Sequence, residues 1–302
     1  KAVKGSDVYD HVIKTEAECG ASAFDIYDTL TVEDVQSAAD MLLNVYTDSQ
    51  GQDGYVSLEV LPELAYDSEK TVHNGKDLWQ KVARPNLMIK VPGTQQGCAA
   101  IRELTKEGIN VNVTLLFSLA HYKESAAAYI AGLTDRYKAG KDIRNIFSVA
   151  SVFISRVDTV IDNLLEQLGK TELQGRVAVA NAKSIYQEFK QLFYDSPFNE
   201  LHAVGGKRQK VLWGSTSTKN PDYSDVKYVE SLIGENTINT MPHETLEAFL
   251  DHGRVALTIE NNWEEEQTYL NAMEALEIDL SEICDDIQKK GVNSFIASFN
   301  GL

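Results

Sequence analysis

The sequence predicts an α/β protein built on a parallel sheet, and three observations carry that expectation. Short apolar, β-branched runs alternate with amphipathic helical stretches from Asp34 to about Glu244, the order that lays helices over a parallel sheet. Polar residues recur at every second position inside some of these runs, so the strands have two chemically distinct faces. No strand candidate is followed by a GxGxxG turn, which argues against a doubly wound sheet. Six strand candidates are two short of a closed eight-stranded barrel, yet the chain opens on Lys1 inside what reads as a helix. The expectation is a (β/α)8 TIM-type barrel with extra C-terminal helices, its first two strands missing before Lys1.

In chain order, the first helix carries Val35, Ala38, Ala39, Leu42, Leu43 and Tyr46 at three- and four-residue steps, and Thr31 with Asp34 can cap its start. The strand candidates are Tyr55–Val60, Leu87–Val91, Val111–Phe117, Val149–Ile154, Val211–Ser215 and Thr237–Met241. A helix with the stripe Val157, Val160, Ile161, Leu164 and Leu165 follows the fourth, with Ser155 and Asp158 as its expected cap. Ala182, Ile185, Tyr186, Phe189, Leu192 and Phe193 mark another. Tyr194–Lys210 reads as a long surface loop. The pattern after His252 is helical to the end, with Glu264–Glu266 as a solvated face. No repeat or linker interrupts the chain. Residues 1–302 are expected to form a single N-terminally truncated barrel domain, with 254–302 a helical extension packed on it.

A barrel of this kind takes about 250 residues, so a chain of 302 suffices. Hydrophobic residues make up 43% and charged residues 24%, the balance of a globular protein with a sizeable core. No apolar run is long enough to span a bilayer. The net charge of −17 repels phosphate backbones and anionic lipid, so neither nucleic acid nor a membrane is an expected partner. A small anionic substrate needs only two or three local cations. Cys19, Cys98 and Cys284 are far apart and odd in number, which fits a reducing cytoplasm and no disulfide frame. The six histidines lack metal-ligand spacing, and no GxSxG or Walker-type loop is present. Neither a metal nor an organic cofactor is expected.

The polar phase within the strands is the informative feature. In VNVTLL, Asn112 and Thr114 oppose Val111, Val113 and Leu115; in YVSLEV, Ser57 and Glu59 oppose Val56, Leu58 and Val60. Lys90 lies between Ile89 and Val91. The apolar sets belong under the helices, so Glu59, Lys90, Asn112 and Thr114 converge inside the barrel near the strand C-termini, where barrel enzymes carry their active sites. A lysine there is costly unless paired, and burial favours the neutral, nucleophilic amine. That permits Schiff-base formation with a carbonyl substrate, with Glu59 and Thr114 relaying protons through water. The plainer reading is a structural ion pair between Lys90 and Glu59.

A second feature is the hydroxyl-rich segment WGSTSTKN, Trp213 to Asn220. With two strands missing it follows the seventh strand, a usual place for a phosphate site. Ser217 and Lys219 can bind phosphate there, and Arg156 adds a second cation. Taken singly, such a loop is more often only a loop, and Arg156 only a surface partner of Asp158 or Asp162.

NLMIKVPGT (Asn86–Thr94), GINVNVTLLFS (Gly108–Ser118), SVFISRVD (Ser151–Asp158) and LWGSTSTKNP (Leu212–Pro221) resemble transaldolases, and NTMPHETLEAFLDHG (Asn239–Gly253) is similar to their longer bacterial subgroup. The resemblance runs in order over nearly the whole chain. It implies a class I enzyme of the non-oxidative pentose phosphate pathway. Such an enzyme moves a dihydroxyacetone unit from sedoheptulose 7-phosphate or fructose 6-phosphate to glyceraldehyde 3-phosphate or erythrose 4-phosphate. By resemblance, Lys90 is the Schiff-base lysine, Glu59 the relay glutamate, Thr114 the holder of the catalytic water, and Asn112 the asparagine beside the Schiff base. Ser217, Lys219 and Arg156 match the phosphate-binding positions, with Lys219 where better-known members have Arg. The family's first-strand aspartate and second-strand Thr-Ser-Asn-Pro segment have no counterpart, because KAVKGSDVYDHVI resembles the stretch that follows them. A homodimer and a parent fused to a phosphoglucose isomerase domain stay open as partners. The alternatives are a fructose-6-phosphate aldolase-like enzyme, which the helices beyond Gly253 disfavour, and an inactive sugar-phosphate-binding or assembly fragment.

Overall fold

A computed structural model describes residues 7–194 and 198–301. The expected alternation is present. After helices α1 (Asp10–Glu18) and α2 (Ala23–Asp48) come β1 (Val56–Glu59), α3 (Ser68–Val82), β2 (Leu87–Pro92), α4 (Gln95–Glu107), β3 (Val111–Leu116) and α5 (Leu119–Lys138). Then follow β4 (Ser148–Phe153), α6 (Ser155–Gln167), α7 (Val177–Tyr194), α8 (Phe198–Ala203), β5 (Lys210–Gly214), α9 (Lys227–Ser231) and β6 (Thr237–Asn239). Helices α10 (His243–His252), α11 (Trp263–Ala275) and α12 (Leu280–Asn300) complete the chain. Each strand coincides with a predicted one to within one or two residues at either end.

The six strands form one sheet in the order β1-β2-β3-β4-β5-β6, every neighbouring pair parallel. In a flat sheet β1 and β6 would stand about 24 Å apart. Here Ser57 of β1 and Ile238 of β6 line one cavity, so the sheet is curled like a barrel wall. Its two faces are segregated as the period of two requires. Ile89, Val91, Val111 and Val113 join the large core beneath the helices, with Ile101 and Leu104 of α4 and Tyr129 of α5. Met88, Phe147, Val149 and Leu212 form a separate cluster on the inner face, with Tyr55 and Ile238 against it. Each fully buried Ile or Val contributes roughly 1.5–3 kcal/mol; Ile89, Val111 and Val113 are all 0% exposed.

Helix starts are set by side-chain caps. Asp67, Thr94 and Ser118 accept from the backbone N–H groups of Lys70, Gly97 and His121, opening α3, α4 and α5. Two expected caps are displaced. Helix α2 begins at Ala23 rather than near Asp34, opened by a reciprocal capping box of Ser22 and Asp25. Thr31 is therefore inside the helix, its hydroxyl returned to the Tyr27 carbonyl, and Asp34 accepts from the Tyr9 hydroxyl. At α6 the cap residue Ile154 has no side-chain bond. Ser155 is instead held by its N–H to the Ser215 carbonyl, while Asp158 faces α7.

Three further expectations are corrected. Tyr194–Lys210 is not all loop: α8 forms because Phe198 buries itself edge-on against Phe193 at 4.8 Å; residues 195–197 of that span lie outside the described residues. The helical reading after His252 fails for residues 253–262, where Thr258 and Ile259 donate to the Ile233 carbonyl and Ile259 is buried. Residues 1–6 of the opening segment also lie outside the described residues.

Glu266 departs from the expected solvated face. It pairs with Lys183 of α7 at 2.8 Å, the side chains 12% and 5% exposed, and the same ammonium donates to the Asn261 carbonyl. This pair fastens α11 onto α7. Breaking a buried pair strands the remaining charge, so Glu266→Ala should cost about 3–5 kcal/mol. Urea unfolding measures it; a loss below about 1 kcal/mol would return Glu266 to the class of exposed pairs.

Candidate active site

Parallel pairing sets Glu59 beside Lys90 and Lys90 beside Asn112, so three polar residues cross three adjacent strands in one row. Thr114, two positions further along β3, pairs with Pro92. The Lys90 ammonium lies 3.3 Å from Glu59 Oε2, each side chain 25% exposed. Asn112 is oriented from both ends: its Nδ2 donates to Ser57 Oγ at 3.0 Å and its Oδ1 accepts from Ser151 Oγ at 2.7 Å. Glu59 Oε1 and Thr114 Oγ1 are buried with no hydrogen-bond partner among the described residues. In a native interior such atoms demand an explanation.

Lys90 and Asn112 line a cavity of about 440 Å³ together with Ser57, Ser151, Phe153 and Ser215. Glu59 reaches Lys90 from the side and itself borders a neighbouring cavity of about 340 Å³ formed with Tyr27, Asn74 and Phe299. Thr114 is fully buried and borders neither. Burial pushes the Glu59 carboxyl above its ordinary value, against the opposing pull of the Lys90 charge.

The phosphate candidates are partly gathered. Lys219 donates to Ser217 Oγ at 2.8 Å on the loop after β5. Lys219 lines a third cavity, of about 210 Å³, with Ser155, Asp158 and Asp162. Ser155 Oγ is 3.0 Å from Ser215 Oγ, which faces the Lys90 cavity, so the two hollows adjoin. The plainer reading of Arg156 is corrected. Asp158 accepts from the Ala178 N–H and the Tyr228 hydroxyl, and Asp162 from the Gly175 N–H and the Tyr223 hydroxyl. Arg156 is half-buried over the Phe153 ring at 5.0 Å and forms no ion pair among the described residues.

Sequence reasoning missed Ser151 and Ser215. Ser151 shares the inner phase with Val149 and Phe153, so the alternation rule could have found it. Ser215 sits just beyond β5 at φ +53, an unfavourable conformation for a non-glycine residue with no signature in the sequence. Asp158, expected as a cap, is buried, which pushes its carboxyl up to about 6 despite the bonds it accepts.

The raised Glu59 has a pH consequence. Its folded-state value lies above the unfolded one, so it contributes stability that is fully present below the unfolded value and lost as pH rises through the folded value. Glu59→Gln, which mimics the protonated form, should match wild type below about pH 4 and melt higher than wild type near pH 8. A difference that shrinks between those limits would contradict the assignment.

Comparison with known proteins finds relatives along the entire chain. A family model described as Transaldolase/Fructose-6-phosphate aldolase matches residues 1–302. A transaldolase of Trichodesmium erythraeum is 41% identical over 315 aligned residues, covering 100% of this chain and 83% of its own. That of Saccharopolyspora erythraea is 43% identical over 304, covering 100% and 82%. A third, from Thiobacillus denitrificans, is 46% identical over 279, covering 91% and 78%. With its strand lysine and glutamate paired inside a curled parallel sheet, the chain belongs to the transaldolase/fructose-6-phosphate aldolase family.

Proposed function

We propose that the protein is a transaldolase that transfers a dihydroxyacetone unit between phosphorylated sugars through a Schiff base on Lys90. It would do so in the cytoplasm, in the non-oxidative pentose phosphate pathway. The observation that carries this reading is the Lys90–Glu59 contact, 3.3 Å, in one strand row with Asn112. The curated relatives bear the name transaldolase, which favours transfer over simple aldol cleavage. Residues 1–302 would belong to a single barrel domain, with 254–302 as a helical extension packed on it.

In this mechanism the neutral Lys90 amine attacks the C2 carbonyl of the donor ketose. The carbinolamine then loses its hydroxyl as water, leaving an iminium. Glu59 first holds the proton whose removal makes the Lys90 amine neutral and gives it to the carbonyl oxygen as the nitrogen attacks. It then takes the proton shed by that nitrogen and returns it to the departing hydroxyl, through a water held by Thr114 Oγ1 and Glu59 Oε1, and ends as a carboxylate beside the cationic iminium. A carboxyl raised by burial suits both directions of that transfer. The iminium accepts the electron pair as the C3–C4 bond breaks, and the C4 hydroxyl proton passes through the water to the Glu59 carboxylate as the aldose leaves. The resulting enamine attacks the acceptor aldehyde, whose oxygen takes that proton back, and water hydrolyses the new iminium to free the ketose and Lys90. Asn112, immobilised by Ser57 and Ser151, contacts the bound substrate beside the nitrogen. Arg156, Ser217 and Lys219 hold its phosphate.

Borohydride added with fructose 6-phosphate should leave a reduced dihydroxyacetone adduct on the peptide containing Lys90, detected by mass spectrometry, and Lys90→Met should abolish both adduct and turnover. An adduct on Lys81 or Lys106, or turnover without one, would overturn the mechanism. For the phosphate role, Arg156→Ala and Lys219→Ala should each raise KM for phosphorylated sugars about 10- to 100-fold, as expected for a lost charge-assisted bond. KM for a non-phosphorylated ketose should hardly change; equal losses on both substrates would make the residues structural.

A further inference from the structure

The end of β3 carries an irregularity just where Thr114 stands. Its pairing with β4 passes from Val113↔Ala150 to Leu116↔Val152, so β3 accommodates one extra residue, a bulge. Leu115 adopts φ +59, a conformation that costs a branched side chain energy and survives only where its surroundings enforce it. As a result Leu115 and Leu116 both join the outer core, while Thr114 keeps its hydroxyl buried and unpartnered.

The enforcing group comes from far along the chain. Gln288 of α12 donates through Nε2 to the Leu115 carbonyl at 2.9 Å and to the Gly93 carbonyl at 3.1 Å. Gly93 in turn donates its N–H to the Thr114 carbonyl at 2.7 Å. One side-chain amide thereby grips the ends of both strands that carry Lys90 and Thr114. The surrounding contacts act in the same direction. Gly291 admits Leu115 so closely that a Cβ there would meet its side chain at 3.1 Å. Asp285 binds His121 Nε2 at 2.8 Å, and Cys284 donates to the Phe117 carbonyl. These latter bonds hold the loop after β3, whereas Gln288 supplies the side-chain hydrogen bond to the bulge carbonyl.

We propose that Gln288 is a positioning residue for the proton relay: by holding the Leu115 carbonyl it keeps the bulge, and through the bulge the place of the Thr114 hydroxyl. The inference rests on the function proposed above. Without the amide, the buried Leu115 carbonyl loses its partner, and relaxation of φ to the ordinary negative range restores a regular strand. Thr114 keeps the phase of Asn112, because its pairing with Pro92 continues the β2 register, but its carbonyl is loosened from the Gly93 N–H and its hydroxyl shifts out of place for the relay. Lys90, on β2, keeps its place.

The test is a double-mutant cycle on the complete protein. Gln288→Leu should lower kcat about tenfold with KM within about twofold of wild type, while borohydride still traps the Lys90 adduct. Gln288→Lys, which restores a donor of similar reach, should recover most of the lost kcat. In a Thr114→Ala background, Gln288→Leu should cause almost no further loss. A lowered melting temperature with kcat unchanged would overturn the proposal in favour of a structural clamp. So would an undiminished second loss in the Thr114→Ala background. If Gln288→Leu does not fold, the Lys variant decides: a folded Gln288→Glu that retains full kcat beside Gln288→Lys also overturns it, because a carboxylate cannot donate to either carbonyl. A wild-type protein that forms no adduct would refute the transaldolase reading and this inference together, whereas a wild-type adduct with an unaffected Gln288→Leu refutes this inference alone.

Discussion

A charged pair held inside a curled parallel sheet is the constraint around which the rest of this structure is arranged. Lys90 and Glu59 belong to neighbouring strands in register, and their 3.3 Å contact lets both sit on the inner face at a quarter exposure. Desolvation of a lone ion there costs several kcal/mol. The pairing offsets that cost, yet it does not satisfy the carboxylate, whose second oxygen is buried without a partner among the described residues. A purely structural pair would be expected to have both oxygens bonded. Thr114 Oγ1 is likewise buried and unpartnered among the described residues, so the strands of the inner row hold two polar atoms that the protein's own side chains leave open.

The helices stabilise that row from outside, by two different means. On the outer face, Ile89, Val91, Val111 and Val113 lock the strand register by burial, and a slip of one residue would turn Lys90 into the apolar layer. Beyond the strand ends, hydrogen bonding takes over. The segment from Leu115 to His121 runs from the end of β3 into α5, and its polar groups find partners on Asn181 of α7 and on Cys284, Asp285 and Gln288 of α12. A segment added after the last strand therefore governs the geometry at the end of the third. This gives the C-terminal helices a physical connection to the site that a bare barrel would lack.

What was legible in the sequence follows from which interactions are local. All six strands and the inward phase of Ser57, Lys90 and Asn112, which line one cavity, could be read, because alternation along a strand is a local signal. The start of α2 was misplaced because its capping box, Ser22 and Asp25, precedes the apolar stripe by more than two turns. Glu266 looked solvated because its partner Lys183 stands 83 positions away. Helix α8 was hidden by flanking loop-like composition, and only the burial of Phe198 against Phe193 reveals it. The bulge at Leu115 had only a faint local mark, the apolar pair Leu115–Leu116 that interrupts the alternation of VNVTLL, and the register shift arises from what β4 and α12 offer to the strand. Local chemistry marked the residues, and long-range contacts set their final positions.

The charge balance of the chain makes Arg156 the most informative of its cations. With acids far outnumbering bases at a net charge of −17, a basic side chain has no shortage of carboxylates to join. Arg84, Arg102 and Arg144 have each done so, with Asp40, Asp135 and Asp142. Arg156 is flanked in sequence by Asp158 and stands one helical turn and a half from Asp162, but both of those carboxylates are turned toward Tyr228, Tyr223 and the start of α7. Its guanidinium rests instead on Phe153, a ring that lines the Lys90 cavity. Burial lowers its pKa from the ordinary value, yet a guanidinium keeps its charge throughout the physiological range. A half-buried cation kept from the neighbouring acids by tyrosine hydroxyls retains its full bonding capacity for an anion arriving through the cavity. The two Asp–Tyr contacts thereby do more than brace α6: by engaging Asp158 and Asp162, they leave Arg156 without an ion pair among the described residues, against a ring that lines the Lys90 cavity, as the proposed phosphate role requires.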